Sequence, residues 1–178
     1  MSAIGQAMKR KEDPRMITGR GRYTEDINLP GMVHAVVVRS PEAHAAITSI
    51  DTSAAKARDG VVAVLTGEDM ASDFAGGLPM VWAPPGVEIN TPENWPLRRG
   101  QVKHVGDAVA VVVATTRHAA VDAAEDVIVE YDPKPVVVDP ERALEPGSPL
   151  VWEEFGTNKT HEWAVGGGDI DAGLAEAE

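Results

Sequence analysis

The chain of 178 residues carries 16 basic against 28 acidic side chains, a formal net charge of −12, and contains no cysteine. Disulfides, thiolate metal sites, cysteine catalysis and iron–sulfur ligation by this chain are thereby excluded, and the acidic balance opposes nucleic acid and anionic membrane surfaces. At 43% hydrophobic it is too apolar for a disordered acidic chain, and its length fits one domain.

The apolar inventory predicts a thin core. It holds 25 Ala and 23 Val but only seven Leu and two Phe. Valine favours sheets, so a Val-rich sheet with small Ala-rich helices is expected. Met1–Arg15 is polar and charged, unlike a signal peptide. The longest unbroken apolar run, Ala108–Ala114, falls far short of the roughly 20 residues that span a bilayer. Both features predict a cytoplasmic protein.

Residues 1–30 lack periodicity and are punctuated by Pro14, Gly19, Gly21 and Pro30, which predicts an extended, irregular arm. Met32–Arg39 reads as a strand ended by Ser40-Pro41, and His44–Asp51 alternates as a second strand. Residues 52–60 favour a helix, with Asp51 or Thr52 as its cap and Gly60 at its C′ position. Val61–Leu65 is a short buried strand, and Thr66–Met70 resembles the start of a further single-turn helix. Residues 71–100 form a long Gly/Pro-rich loop holding Trp82 and Trp95. Loops of that length in small domains are usually functional or partner-bound.

Val102–Val105 and Ala108–Ala114 follow as strands around a Gly106-Asp107 turn. Thr115 or Thr116 caps a helix over Arg117–Asp126, whose alanines allow close packing on a sheet. Val127–Tyr131 and Pro135–Val138 are two more strands. A Pro/Gly-rich tail then leads to a helix over Asp169–Glu178 that the C-terminus cuts short. The organisation expected is an arm (1–30), a central α+β domain (31–140) containing the 71–100 loop, and a tail (141–178).

No motif carries chemistry. The five histidines, His34, His44, His104, His118 and His161, show no metal-ligand spacing, and His34 reads as a structural strand residue. Gly19-Arg20-Gly21-Arg22-Tyr23 lacks the spacing and the flanking strand and helix of a phosphate-binding loop. Adjacent acids at Glu25-Asp26 and Glu153-Glu154, and the pair Asp169 and Asp171, have no evident enclosing pocket to tune them. No serine has a nucleophile-elbow context. Catalytic, cofactor-binding and metal-binding residues are therefore predicted to be absent.

Residues 11–32, from Lys11-Glu-Asp-Pro-Arg-Met-Ile-Thr-Gly-Arg-Gly-Arg-Tyr23 to Leu29-Pro-Gly-Met32, closely resemble the opening of a known family. That family comprises the large, molybdenum-carrying subunits of xanthine dehydrogenases, aldehyde oxidases and aerobic carbon monoxide dehydrogenases. The resemblance continues through Val38-Arg39-Ser40-Pro41, Ala43-His44-Ala45, Gly60–Thr66, Val105–Val112, Val129-Glu130-Tyr131 and Gly168–Ala177. It runs from about residue 10 to the end and is poor only in the 71–100 loop. One departure is Asp107, where the family usually has Glu or Gln.

The resemblance implies an α/β-hammerhead fold, with a mixed, mostly antiparallel sheet and two or three short helices. It implies a scaffolding domain of an enzyme that hydroxylates carbon, or oxidises carbon monoxide, with oxygen from water. Molybdopterin would lie in the rest of the large subunit, and iron–sulfur clusters and FAD in partner subunits. Arg15, Arg20, Arg22 and Tyr23 of the arm, with Trp82 and Trp95 of the loop, are the candidate subunit interface, because Arg and aromatic residues dominate binding energetics. The alternative is a stand-alone binding module for a small ligand or protein, without redox activity.

Overall fold

Strand formation in this chain follows its valines. The computed structural model describes residues 4–164 and 166–177, so Glu178 of the predicted C-terminal helix and residues 1–3 of the arm lie outside it. The chain divides into two units, residues 1–33 and residues 34–178.

The first unit is not wholly irregular. Asp13–Ile17 forms a short helix, α1, with Pro at its start and Asp13 in its first turn. Proline there loses nothing, since the first helical N–H groups have no partner anyway, and the Asp–Pro pair was the overlooked start signal. Thr24–Asp26 adds a turn of 3₁₀ helix.

Among the described residues of the second unit six strands are laid down in chain order: β1 (His34–Arg39), β2 (Ala45–Asp51), β3 (Val61–Thr66), β4 (Gln101–Val102), β5 (Ala108–Ala114) and β6 (Ile128–Pro133). They form two three-stranded sheets, β1-β5-β3 and β4-β2-β6. Every pairing among the described residues is antiparallel, so the expected mixed sheet is two antiparallel ones. The register slips between Val38 and Arg39 in β1, and between Val61 and Ala63 in β3.

Three further helices are α2 (Ser53–Lys56), α3 (Arg117–Glu125) and α4 (Ile170–Glu176), which with α1 make four among the described residues, against the two or three expected. α3 starts where the hydroxyl of Thr116 accepts the Ala119 N–H at 3.1 Å. α2 is shorter than expected. Asp51 accepts the Ser53 N–H at 2.8 Å, but the helix ends at Lys56, and Gly60 (φ +83°) instead turns the chain into β3. Thr66–Met70 is a turn rather than a helix, closed by Asp69, whose carboxylate accepts the N–H and hydroxyl of Thr66, both at 2.8 Å. Those bonds, the backbone one first, hold the Asp69 carboxyl below the usual carboxylate range.

Two predicted strands shrink for stated reasons. The strand predicted at Val102–Val105 stops at Val102 because the N–H groups of Lys103 and His104 turn aside to the Asp107 carboxylate, at 2.6 and 3.2 Å. Pro135–Val138 forms no strand, and Pro135 at its start lacks the N–H a ladder needs.

α2 and α3 cover a core in which Ala55, Val64, Ala110, Val112, Ala123 and Val127 pack with Val38, Ile50 and Val129. A second cluster, Ala45, Val102 and Val109, meets Ile47 and Tyr131. Val38 and Val129 belong to both, so the two sheets share one interior. Among the described residues the buried apolar ones are six Ala, five Val and Leu97.

Replacing Thr116 with Ala should lower the unfolding free energy by about 1 kcal/mol in a urea titration, because α3 loses its capping acceptor. Acid unfolding should carry an Asp69 signature. A carboxyl held low in the folded state contributes stability above its unfolded value of 3.8, and that contribution disappears as pH falls through the folded value. Asp69→Asn should therefore lower stability at neutral pH and flatten its loss below about pH 4.

Candidate functional site

Arg98 and Asp107, which sequence reasoning did not pair, form the most enclosed ion pair among the described residues. The Arg98 Nε lies 2.8 Å from Asp107 Oδ1, with the two side chains only 9% and 6% exposed. Asp107 Oδ2 takes the Lys103 and His104 N–H groups, and His104 Nδ1 stands 3.2 Å from Oδ1. The turn is also tied by its backbone: Ser40 N–H donates to Asp107 O and Gly106 N–H to Ser40 O, each at 2.8 Å. Asp107 thus joins the end of the 71–100 loop and the β4–β5 turn through its carboxylate, and the Ser40-Pro41 turn through its backbone carbonyl.

The tail closes over this centre. Trp152 receives the Arg98 guanidinium at 5.4 Å and the Lys103 ammonium at 5.0 Å from its ring centroid, within cation–π range. Burial above all, then the nearby Lys134 charge, pushes the Lys103 amine below the usual lysine range. Gly67 lies beneath the loop's end. A Cβ there would stand 2.6 Å from Arg98 O and 2.9 Å from Leu97 O, so only glycine admits the loop this close.

Beside it, His44, Val105, Pro135, Val137, Leu150 and Val151 wall an apolar cavity of about 280 Å³. The His44 Nδ1–H donates to Pro135 O at 3.1 Å, while Nε2 is buried without a hydrogen-bond partner. His44 is thus a wall residue. Among the described residues no three His, Asp or Glu side chains gather as a metal site.

The predicted interface residues fall into three groups. Arg15, Arg20, Arg22 and Tyr23 lie together in the first unit, where the Arg20 N–H donates to Arg15 O at 2.7 Å and the Tyr23 hydroxyl to Met16 Sδ at 3.4 Å. Trp82 and Trp95 do not share a surface. Trp95 is half-buried against Phe74, at 6.0 Å, and under Arg99, which pairs with Glu68. Trp82 instead joins His161 and Trp163 at 4.9 and 5.3 Å, and the loop is held there by Asn90, which bonds Lys159 O and Thr160 O. The loop is therefore stapled to the tail, a contact that no local sequence pattern announces.

The sequence model of the aldehyde oxidase and xanthine dehydrogenase a/b hammerhead domain matches residues 18–135. The chain belongs to that family. The hammerhead domain is 39% identical to the nicotine 6-hydroxylase large subunit of Paenarthrobacter nicotinovorans, over 99% of this chain and 21% of that protein. It is 39% identical to the carbon monoxide dehydrogenase large chain of Afipia carboxidovorans, over 100% of this chain and 23% of that one. Among solved structures, quinoline 2-oxidoreductase from Pseudomonas putida 86 superposes with a TM-score of 0.77 at 40% identity, covering 88% of this chain and 20% of that one. The domain spans about a fifth of the length of the relatives it matches.

The α+β hammerhead fold is thereby established. These relatives are enzyme subunits, and none of them is a free-standing binding module. The chain contains no cysteine, and its described residues gather no group of three His, Asp or Glu side chains able to hold a metal ion.

Asp107→Ala leaves a buried guanidinium unpaired and should cost about 3–5 kcal/mol in denaturant unfolding. The double variant Arg98→Met/Asp107→Leu, which removes both charges, should cost clearly less.

Proposed function

We propose that this chain is the structural N-terminal domain of a molybdenum hydroxylase large subunit, in a cytoplasmic enzyme that oxidatively hydroxylates a carbon substrate. The substrate class is an aldehyde, an N-heterocycle or carbon monoxide, with water as the oxygen source. Molybdopterin would sit in the remaining domains of the large subunit, and iron–sulfur clusters and FAD in partner subunits. The observation that carries this reading is the family match over residues 18–135, most of the chain.

The packing supports a role in leaning on neighbours. A core of Ala and Val is small, while Val37, Val62, Val105, Ile128, Val136 and Val138 remain exposed. Apolar surface of this kind gains free energy when a neighbouring domain covers it. The arm residues Arg15, Arg20, Arg22 and Tyr23, and the loop residues Trp82 and Trp95, are assigned to docking of the iron–sulfur subunit. The stapling of the loop by Asn90 and the burial of Arg98 favour this, because a pre-ordered surface loses less conformational entropy on binding.

In the assembled enzyme, Arg20→Ala/Arg22→Ala should weaken subunit association measured by analytical ultracentrifugation. Unchanged assembly and activity would remove the arm from the interface. The purified chain alone should show no flavin or iron–sulfur absorption bands and no bound molybdenum; their presence would overturn the scaffold role.

A further inference from the structure

The charges of this chain are divided unevenly. Residues 1–33 hold six Lys and Arg (Lys9, Arg10, Lys11, Arg15, Arg20, Arg22) against four acids, a balance of 6 − 4 = +2. Residues 34–178 hold the other 10 basic and 24 acidic side chains, a balance of 10 − 24 = −14. Between Pro14 and Thr24 there are three arginines and no acid at all.

Pairing follows a different pattern from charge. Five of the ten Lys and Arg residues in 34–178 sit in ion pairs: Arg58, Arg98, Arg99, Lys134 and Lys159. Among the described residues, none of the six cations of the first unit does. Its acids are not idle: Asp26 Oδ2 accepts the Tyr23 N–H at 2.9 Å, and Asp13 stands in the first turn of α1, where the helix dipole favours it. Asp26 thus serves the backbone, and none of the four acids of this unit forms an ion pair with its guanidiniums among the described residues.

The segment carrying them is held in a hook. Thr18 Oγ1 donates to Pro14 O at 2.6 Å and closes α1, and Gly19 (φ +69°) reverses the chain. Gly21 then passes so close to Met16 that a Cβ would stand 2.7 Å from its sulfur, and Tyr23 bonds the same sulfur from the other side of the turn. Arg15, Arg20 and Arg22 are thereby presented from one short loop, with the exposed Tyr23 beside them.

We propose that this hook recognises a protein surface bearing closely spaced carboxylates, and that it does so through the guanidinium forks of Arg15, Arg20 and Arg22. The inference rests on the docking role given above and names the chemistry of the partner's face. Arginine rather than lysine at all three positions suits bidentate capture of carboxylates. A long polyanion is disfavoured, because the net charge of −12 repels it. A local acid cluster on a folded partner escapes that repulsion, and an exposed tyrosine adds apolar contact at the rim.

The test titrates the full 178-residue chain with a polyglutamate peptide just long enough to span the three arginines, at rising salt, beside long polyuridylate and phosphatidylserine vesicles as competing anions. Polyglutamate should bind, weakening on the order of tenfold from low to physiological salt as exposed charges are screened. Arg15→Gln/Arg20→Gln/Arg22→Gln should lose on the order of 100-fold in affinity, and the corresponding triple Lys variant should regain only part of it. No binding of polyglutamate, equal binding by the triple Gln variant, or tighter binding of polyuridylate or vesicles overturns the proposal. Polyglutamate binding without association with the iron–sulfur subunit would sink the docking role and leave acid recognition standing. Assembly that the triple Gln variant retains would sink the acid recognition and leave docking to the loop.

Discussion

The Arg98–Asp107 ion pair is the constraint on which the second unit's irregular half depends. A buried pair of this kind offers little net stability over well-packed apolar residues, but it is costly to break from one side only. Its value here is positional. The carboxylate has more acceptor capacity than one arginine needs, and it spends the surplus on two backbone N–H groups that would otherwise extend β4. The strand stops, the chain turns, and the loop that precedes it is anchored in the same stroke. Trp152 then covers the pair with a face that tolerates cations.

Around that anchor the rest of the unit is built from side chains that fill little space. Alanine at 110, 114, 120 and 123 lets α3 and β5 approach closely, and valine supplies most of the remaining apolar contact. Such a core orders well but buries few methylene groups, so each one counts. The larger apolar groups go elsewhere: Trp82 and Trp163 gather at the loop–tail junction, and several valines face outward. A domain arranged in this way has its second apolar surface on the outside, where a covering neighbour in a larger subunit would complete it.

Much of the fold was legible because its signals are local. Valine runs marked β1, β3 and β5 to within two residues at each end, and Thr116 marked the start of α3. What was missed depends on contacts between distant segments or on competition for backbone groups. Nothing in Lys103-His104 says that their N–H groups will serve a carboxylate instead of a neighbouring strand. Only the folded chain brings Arg98 to Asp107 or Asn90 to Lys159. The interface candidates divide the same way. The arm arginines are neighbours in sequence and remain so in space, whereas Trp82 and Trp95, thirteen positions apart, are sorted into separate clusters by partners that no spacing rule identifies. The small helix α1 was hidden for a simpler reason, since its Asp–Pro start was read as punctuation alone.

The strand edges have a consequence for life before assembly. Each three-stranded sheet leaves two outer strands whose free N–H and C=O groups could template pairing with another copy. Both outer strands of the first sheet, β1 and β3, carry a register slip that twists the edge out of line. In the second sheet β4 is only two residues long, and β6 ends in a proline. None offers a long flat ladder. A newly made chain can therefore carry exposed valines without stacking into fibrils, and its edges stay open only to surfaces shaped to meet them.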